Sequence, residues 1–163
     1  MSFEFKEVRE KLSFLEKDYN IDLRLKGDRK IHFDEIDKLS YKIELDNDNT
    51  IMGINKFSLM KPRARNYIHE WIYHKLMSEG NLITIKYDFI NLYVNGRDHG
   101  LYVIEEGFDK ILTERNKKRN GPIFSVKEEW LDKISEDSSK NLLFETYNKK
   151  YWLSDNNKAI TYE

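Results

Sequence analysis

FINLYVNGRDHGLYVIEE, residues Phe89 to Glu106, reads as two apolar-rich runs of strand composition joined by a tight turn. Asn95-Gly96 is the hinge of that turn. A type I′ turn requires positive φ at both central residues, which Asn and Gly tolerate best, so the pair between β-prone runs predicts a hairpin. The second run, Gly100 to Ile104, gives way abruptly to Glu105-Glu106-Gly107. Two carboxylates directly after an apolar strand mark the junction as a place for a site.

Outward from the hairpin, the chain is that of one domain: 163 residues, 35% charged, with a formal net charge of -1. So balanced a charge provides no global field for nucleic acid or anionic membrane. The absence of cysteine excludes disulfides, thiolate nucleophiles and Cys-ligated zinc, and leaves the compartment open. The opening MSFEFKEVREK is too charged for a signal peptide, and no run approaches the roughly 18 apolar residues of a membrane span. A soluble, packed domain is expected.

Before the hairpin, Lys11 to Leu15 suits either a short helix or a leading strand, and Asp18-Tyr19-Asn20 reads as a turn. Ile21 to Lys26 alternates strictly, with Ile21, Leu23 and Leu25 on one face and Asp22, Arg24 and Lys26 on the other. Gly27-Asp28 ends that strand. Leu39 to Leu45 alternates likewise, burying Leu39, Tyr41, Ile43 and Leu45 and projecting Ser40, Lys42 and Glu44. Ile51 to Met60 is a short strand or a loop. From Ala64 to Glu79 the period becomes helical, with Ile68, Ile72 and Leu76 every four residues, Trp71 beside them and Gly80 placed as a cap. After the hairpin, Phe108 to Arg119 predicts a helix, Ile123 to Val126 a short strand, Glu128 to Ile134 and Asn141 to Tyr151 small helices around a Ser135 to Lys140 loop, and Ala159 to Tyr162 a last strand. The order is that of an α+β fold: an antiparallel sheet, one main helix and small C-terminal helices.

Several constellations resemble sites and fail on spacing. Asp46-Asn47-Asp48-Asn49-Thr50 opens like a calcium loop, but Ile51 and Phe57 stand where Gly and Glu are needed. His69 and His74, flanking Glu70, are five apart, which swings the second about 140° round a helix and rules out zinc. Arg115, Lys117, Lys118 and Arg119 form a basic helix end of the kind the macrodipole favours, read as a solvated face. RNA binding through the sheet aromatics is disfavoured by the near-zero net charge.

What remains is an ordered set: a strand lysine (Lys42), a helix glutamate (Glu70), two more antiparallel strands, then acids at a crossing into a helix (Glu105, Glu106). Singly these are ordinary surface charges. Their order is that of the parts in the small lobe of a protein kinase.

Five motifs then carry a resemblance: Arg24 to Asp28 (RLKGD), Leu39 to Ile43 (LSYKI), Gly53 to Leu59 (GINKFSL), Arg65-Asn66 with Glu70-Trp71, and the hairpin Asn91 to Glu106. In this order and spacing, over about Ile21 to Phe124, the chain resembles the CotH kinase family. That family, named for a spore coat protein, is an atypical, secretory-kinase-like group that uses ATP and a divalent metal to phosphorylate protein serine. The resemblance implies a kinase-like small lobe over residues 1–126, with 127–163 starting the following lobe. It implies Lys42 at the α/β-phosphates, Glu70 as its ion-pair partner, Arg24 and Lys26 as further phosphate contacts, and Glu105 and Glu106 at a hinge near the adenine. ATP is the implied cofactor, with Mg²⁺ or Mn²⁺ expected only with the C-terminal portion of the family. The family's catalytic and metal-binding aspartates come well after the hinge, and Asp155-Asn156-Asn157 lacks their surrounding pattern. No catalytic residue is therefore assigned, and the expectation is a front portion incomplete for unassisted transfer, able to self-associate through a face another lobe would cover. The alternative is a non-catalytic protein-binding or structural module on the same fold.

Overall fold

The computed structural model describes residues 5–27, 30–32, 34–118, 124–126 and 144–146. It divides into two compact units, residues 1–107 and 108–163. The expected lobe boundary after residue 126 falls within the second.

The first unit is built on six strands: β1 (Val8–Phe14), β2 (Lys17–Leu25), β3 (Tyr41–Leu45), β4 (Lys56–Met60), β5 (Tyr87–Val94) and β6 (Arg97–Glu106). They form one antiparallel sheet in the order β1-β2-β3-β4-β6-β5. The hairpin closes as its sequence predicts: Asn95 and Gly96 have φ of 53° and 77°, and Val94 pairs with Arg97. The register shifts at Leu92/Tyr93, opposite Gly100, whose φ of 74° suits a residue without Cβ.

At the other edge the leading strand is formed, not a helix. The turn falls at Leu15 and Glu16, both at positive φ, rather than at Asp18-Tyr19-Asn20. Tyr19 continues the inward alternation of Ile21 and Leu23, and its burial draws those three residues into the strand.

Alternation divides the sheet into two faces. On the apolar face, Tyr19, Ile21, Ile43, Leu45, Phe57, Leu59, Tyr102 and Ile104 form a continuous buried core with Ile51 and Ile54. Each such side chain contributes about 1.5–3 kcal/mol by leaving water. Leu12 and Phe14 of β1 and Ile90 and Leu92 of β5 line an open groove of about 580 Å³ on this face.

The opposite face carries the charges and the main helix. That helix, α1 (His69–Glu79), begins later than Ala64 because Pro62–Arg65 form a single 3-10 turn, and Asn66 and Tyr67 take left-handed φ of 53° and 60°. It ends in a Schellman arrangement: the amide of Leu82 donates to the carbonyl of Met77 (3.0 Å) and that of Asn81 to Ser78 (3.1 Å). Asn81, at φ 55°, supplies the left-handed residue instead of Gly80, whose φ is -75°.

The face that α1 buries also differs from the expected one. Ile68, Ile72 and Leu76 are 50%, 43% and 63% exposed, whereas Trp71 packs against Met60, Tyr87 and Val103. Trp71 and His74, three apart, face the sheet. One indole over a small apolar patch has outcompeted three aliphatic side chains on the adjoining face.

In the second unit, α2 (Lys110–Arg115) is shorter than the predicted Phe108 to Arg119. Asp109 caps it by accepting from the Leu112 amide (3.1 Å), and Lys117 at φ 54° follows its end. Strands β7 (Phe124–Val126) and β8 (Phe144–Thr146) pair antiparallel, so Phe144 to Thr146 is strand where a helix over Asn141 to Tyr151 was predicted. The predicted elements Glu128 to Ile134, Ser135 to Lys140 and Ala159 to Tyr162, and Asp155-Asn156-Asn157, lie outside the described residues. Among the described residues, no helix is long and apolar enough to cross a membrane.

Candidate anion-binding face

The strand registers lay two rows of side chains across the charged face. The first runs Arg9, Asp22, Glu44, Lys56 over β1 to β4. Each carboxylate in it meets a cation: Arg9 Nε lies 3.0 Å from Asp22 Oδ1 and Lys56 Nζ 2.6 Å from Glu44 Oε1. That row is neutral within itself.

Two residues further along, the second row runs Arg24, Lys42, Ser58, Glu105, Tyr87 over β2, β3, β4, β6 and β5. Arg24 and Lys42 stand directly opposite one another, a like-charge pairing that works against the sheet. Among the described residues neither makes an ion pair. The Lys42 ammonium is held below its ordinary pKa by the surrounding protein and by the charges of Arg24, Lys26 and Lys56.

Glu105 gathers the rest of the site. Lys26 Nζ donates to its Oε1 (3.1 Å), and Arg65 donates from Nε to Oε2 (2.8 Å) and from Nη2 to Oε1 (3.2 Å). Burial pushes the Glu105 carboxyl up, but the hydrogen bond from Arg65 and the charges of Lys26 and Arg65 outweigh it and hold the group below its ordinary value. Burial lowers the Lys26 ammonium, against the pull of Glu105. The outcome is four cations, Arg24, Lys26, Lys42 and Arg65, around one carboxylate on one sheet face.

Arg24, Lys26, Lys42 and Glu105 are thus brought together; Glu106 leaves the other face, and Glu70 is not bonded to them but borders Arg65 and Tyr87, whose pKa values its charge raises. Glu105 and Glu106 are the last two residues of β6, so their side chains leave opposite faces. Glu106 pairs with Phe57 on the apolar face, is 3% exposed, and accepts from the Lys86 amide at 2.7 Å. Glu70 lies with Oε2 3.4 Å from Nε2 of His74, whose Nδ1 is 2.7 Å from Thr84 Oγ1. No ion pair joins Glu70 to Lys42 among the described residues. The helix that carries Glu70 lies over Met60 of β4, Val103 of β6 and Tyr87 of β5 through Trp71, on the side of the sheet away from β2. None of the six expected residues lines the apolar groove.

Two further residues belong to the site, Arg65 and Tyr87. Arg65 stood within one of the quoted motifs without a role. Tyr87 follows from alternation once the hairpin register is set, since it pairs with Glu105. Its hydroxyl is buried without a hydrogen-bond partner among the described residues. Burial, then the charges of Glu105 and Glu70, raise its pKa far above the ordinary tyrosine value, so it remains a donor.

Among the described residues, no group of three His, Asp or Glu side chains is placed to hold a metal ion. The cationic cluster does fit phosphate: charge-assisted N–H donors on adjacent strands are what phosphate oxygens accept from. No curated protein matches the chain. The family model described as CotH kinase protein matches residues 23–162, a span containing Arg24, Lys26, Lys42, Arg65, Tyr87 and Glu105. The chain belongs to the CotH kinase family.

Proposed function

We propose that the charged face of the sheet binds the phosphates of ATP, and that the chain serves as the nucleotide-facing lobe of a kinase acting on protein serine. The observation that supports this reading is the contrast between the two rows: one compensates its own charges, whereas the next leaves Arg24 and Lys42 opposed and, among the described residues, without an ion pair. A phosphate between them would exchange a repulsive pair for charge-assisted hydrogen bonds. Membership in the CotH kinase family points to kinase-like chemistry and agrees with that use of the site. Lys42 and Arg24 receive phosphate oxygens in this reading, while before the nucleotide binds Glu105 holds Lys26 and Arg65 in position. Mg²⁺ or Mn²⁺, when bound with the nucleotide, supplies further neutralisation of the phosphate charge.

Calorimetric titration with ATP, with and without Mg²⁺, tests the proposal on the wild type and the Arg24→Ala/Lys42→Ala double variant. Saturable binding that weakens by about a hundredfold in the variant, for two charged hydrogen-bond donors lost, is expected. A wild type that does not bind at millimolar ATP, or a folded variant that binds as well, contradicts it.

A second reading, a protein-binding module, is favoured by one observation: α1 leaves Ile72, Tyr73 and Leu76 exposed beside Tyr67 and Ile68. Such a run suits a protein contact. It becomes the better reading if ATP does not bind.

A further inference from the structure

Glu105 occupies a place that an anionic ligand would take. Its two oxygens accept three hydrogen bonds from Lys26 and Arg65, and its side chain is only 14% exposed. Arg24 and Lys42, in the same row, have no such partner among the described residues. Half of the cationic cluster is therefore satisfied internally and half is not. Directly across the β5–β6 ladder from Glu105 stands Tyr87, on the same face, with its hydroxyl buried and unpaired among the described residues. Buried polar atoms without a partner are rare in folded proteins, and this one is a donor beside the most heavily bonded acceptor of the site.

We propose that Glu105 determines which anions the site accepts: it stands in for a ligand oxygen between Lys26 and Arg65, yields that place to a polyphosphate, and passes to the Tyr87 hydroxyl. This rests on the phosphate reading above and deepens it. A monophosphate can be received by Arg24 and Lys42 with Glu105 in place. It has nothing left with which to compete for Lys26 and Arg65. A polyphosphate anchored on the first two cations presents further oxygens to the second two at high effective concentration, which is what displaces a tethered carboxylate. The displaced carboxylate does not go unpaired, because Tyr87 supplies a donor already dehydrated and on the same face. The ligand class that follows is a nucleoside di- or triphosphate in preference to the monophosphate.

The test compares ATP and AMP binding by calorimetry, with melting temperature measured in parallel, for the wild type, Tyr87→Phe and Glu105→Gln. Tyr87→Phe keeps every hydrogen bond to Glu105 and removes only a hydroxyl without a partner. It is expected to melt at or above the wild-type temperature, to bind ATP about tenfold more weakly for the loss of one hydrogen bond to a charged group, and to leave AMP unchanged. Glu105→Gln is expected to narrow the preference for ATP over AMP. If that variant does not fold, Tyr87→Phe decides alone. Wild-type ATP affinity in Tyr87→Phe overturns the inference while leaving nucleotide binding intact. So does a parallel loss of melting temperature and of both affinities, which marks Tyr87 as structural. A wild type that binds neither nucleotide overturns the phosphate reading and this inference with it.

Discussion

The two faces of the six-stranded sheet are made by the same strands and differ in what decides their structure. On the apolar face every strand from β2 to β6 contributes an inward side chain, and neighbours in register are hydrophobic except where Glu106 stands opposite Phe57. Each contact there stabilises its neighbours, so the face is a core. On the charged face, Met60, Tyr87 and Val103 form a small apolar patch under Trp71, beside a neutral row and a cationic row. Burial on this side is local, and the cationic row is tolerated rather than stabilising. The lesson is that function is to be sought on the face whose contacts do not explain themselves energetically.

The largest effect is expected on the apolar face. Phe57→Ala, at 2% exposure in the middle of the sheet, should lower unfolding free energy in urea by about 3–5 kcal/mol. A cost below about 1 kcal/mol would mean that this face is not the core. On the charged face, Trp71→Ala should cost about 2 kcal/mol, since the indole covers a small patch and is itself part-exposed. Equal costs for Phe57 and Trp71 would erase the distinction between the faces.

A pH series separates the electrostatic part. The carboxyl of Glu105 is held below the ordinary carboxylate value in the folded chain by Arg65 and Lys26, so its folded pKa lies under its unfolded one. Its contribution is therefore present above the unfolded value and lost as pH falls through the folded one. Between neutral pH and pH values under 4.5 the wild type should lose more stability than Glu105→Gln. Asp34, lowered by its hydrogen bond from Lys61, contributes acid sensitivity to both proteins and cancels in the comparison. A steeper acid limb in the variant would contradict the assignment of Glu105 as a carboxylate stabilised by Arg65 and Lys26.

The smallest effect is expected on the outer side of α1. Ile72→Ala should change stability by less than about 0.5 kcal/mol because that side chain is 43% exposed. A loss of several kcal/mol would return the helix to the orientation its sequence periodicity suggested.

That periodicity shows where reading residues reaches its limit. Strict alternation in Ile21 to Lys26 and Leu39 to Leu45 placed Arg24 and Lys42 on one face, and Asn95-Gly96 set the hairpin, because these signals are local and steric. The burying side of α1 was not local. Ile68, Ile72 and Leu76 are a regular stripe, but which stripe faces the sheet depends on the patch that Met60, Tyr87 and Val103 form. The late start of α1 was hidden for a related reason, since Asn66 and Tyr67 carry no glycine to announce left-handed φ. At the site, Lys42 and Glu70 suggested a kinase-like ion pair by their order in the chain. In the folded chain Glu70 instead lies beside His74, and the carboxylate bonded to the cations of the row is Glu105, which accepts from Lys26 and Arg65. Phe144 to Thr146 became strand by pairing with Phe124 to Val126, a contact its own residues do not signal.

The central claim is that the surplus charge of one row, and not positive charge in general, makes the ligand site. ATP affinity of Lys42→Ala set beside Lys17→Ala, which removes a lysine from the opposite face where it lies over the Tyr19 ring, measures this most directly. The account predicts about tenfold weaker binding for Lys42→Ala, the loss of one charged donor, and wild-type binding for Lys17→Ala, with both proteins folded as the wild type. Equal affinities in the two variants, whether both unchanged or both reduced, would contradict it.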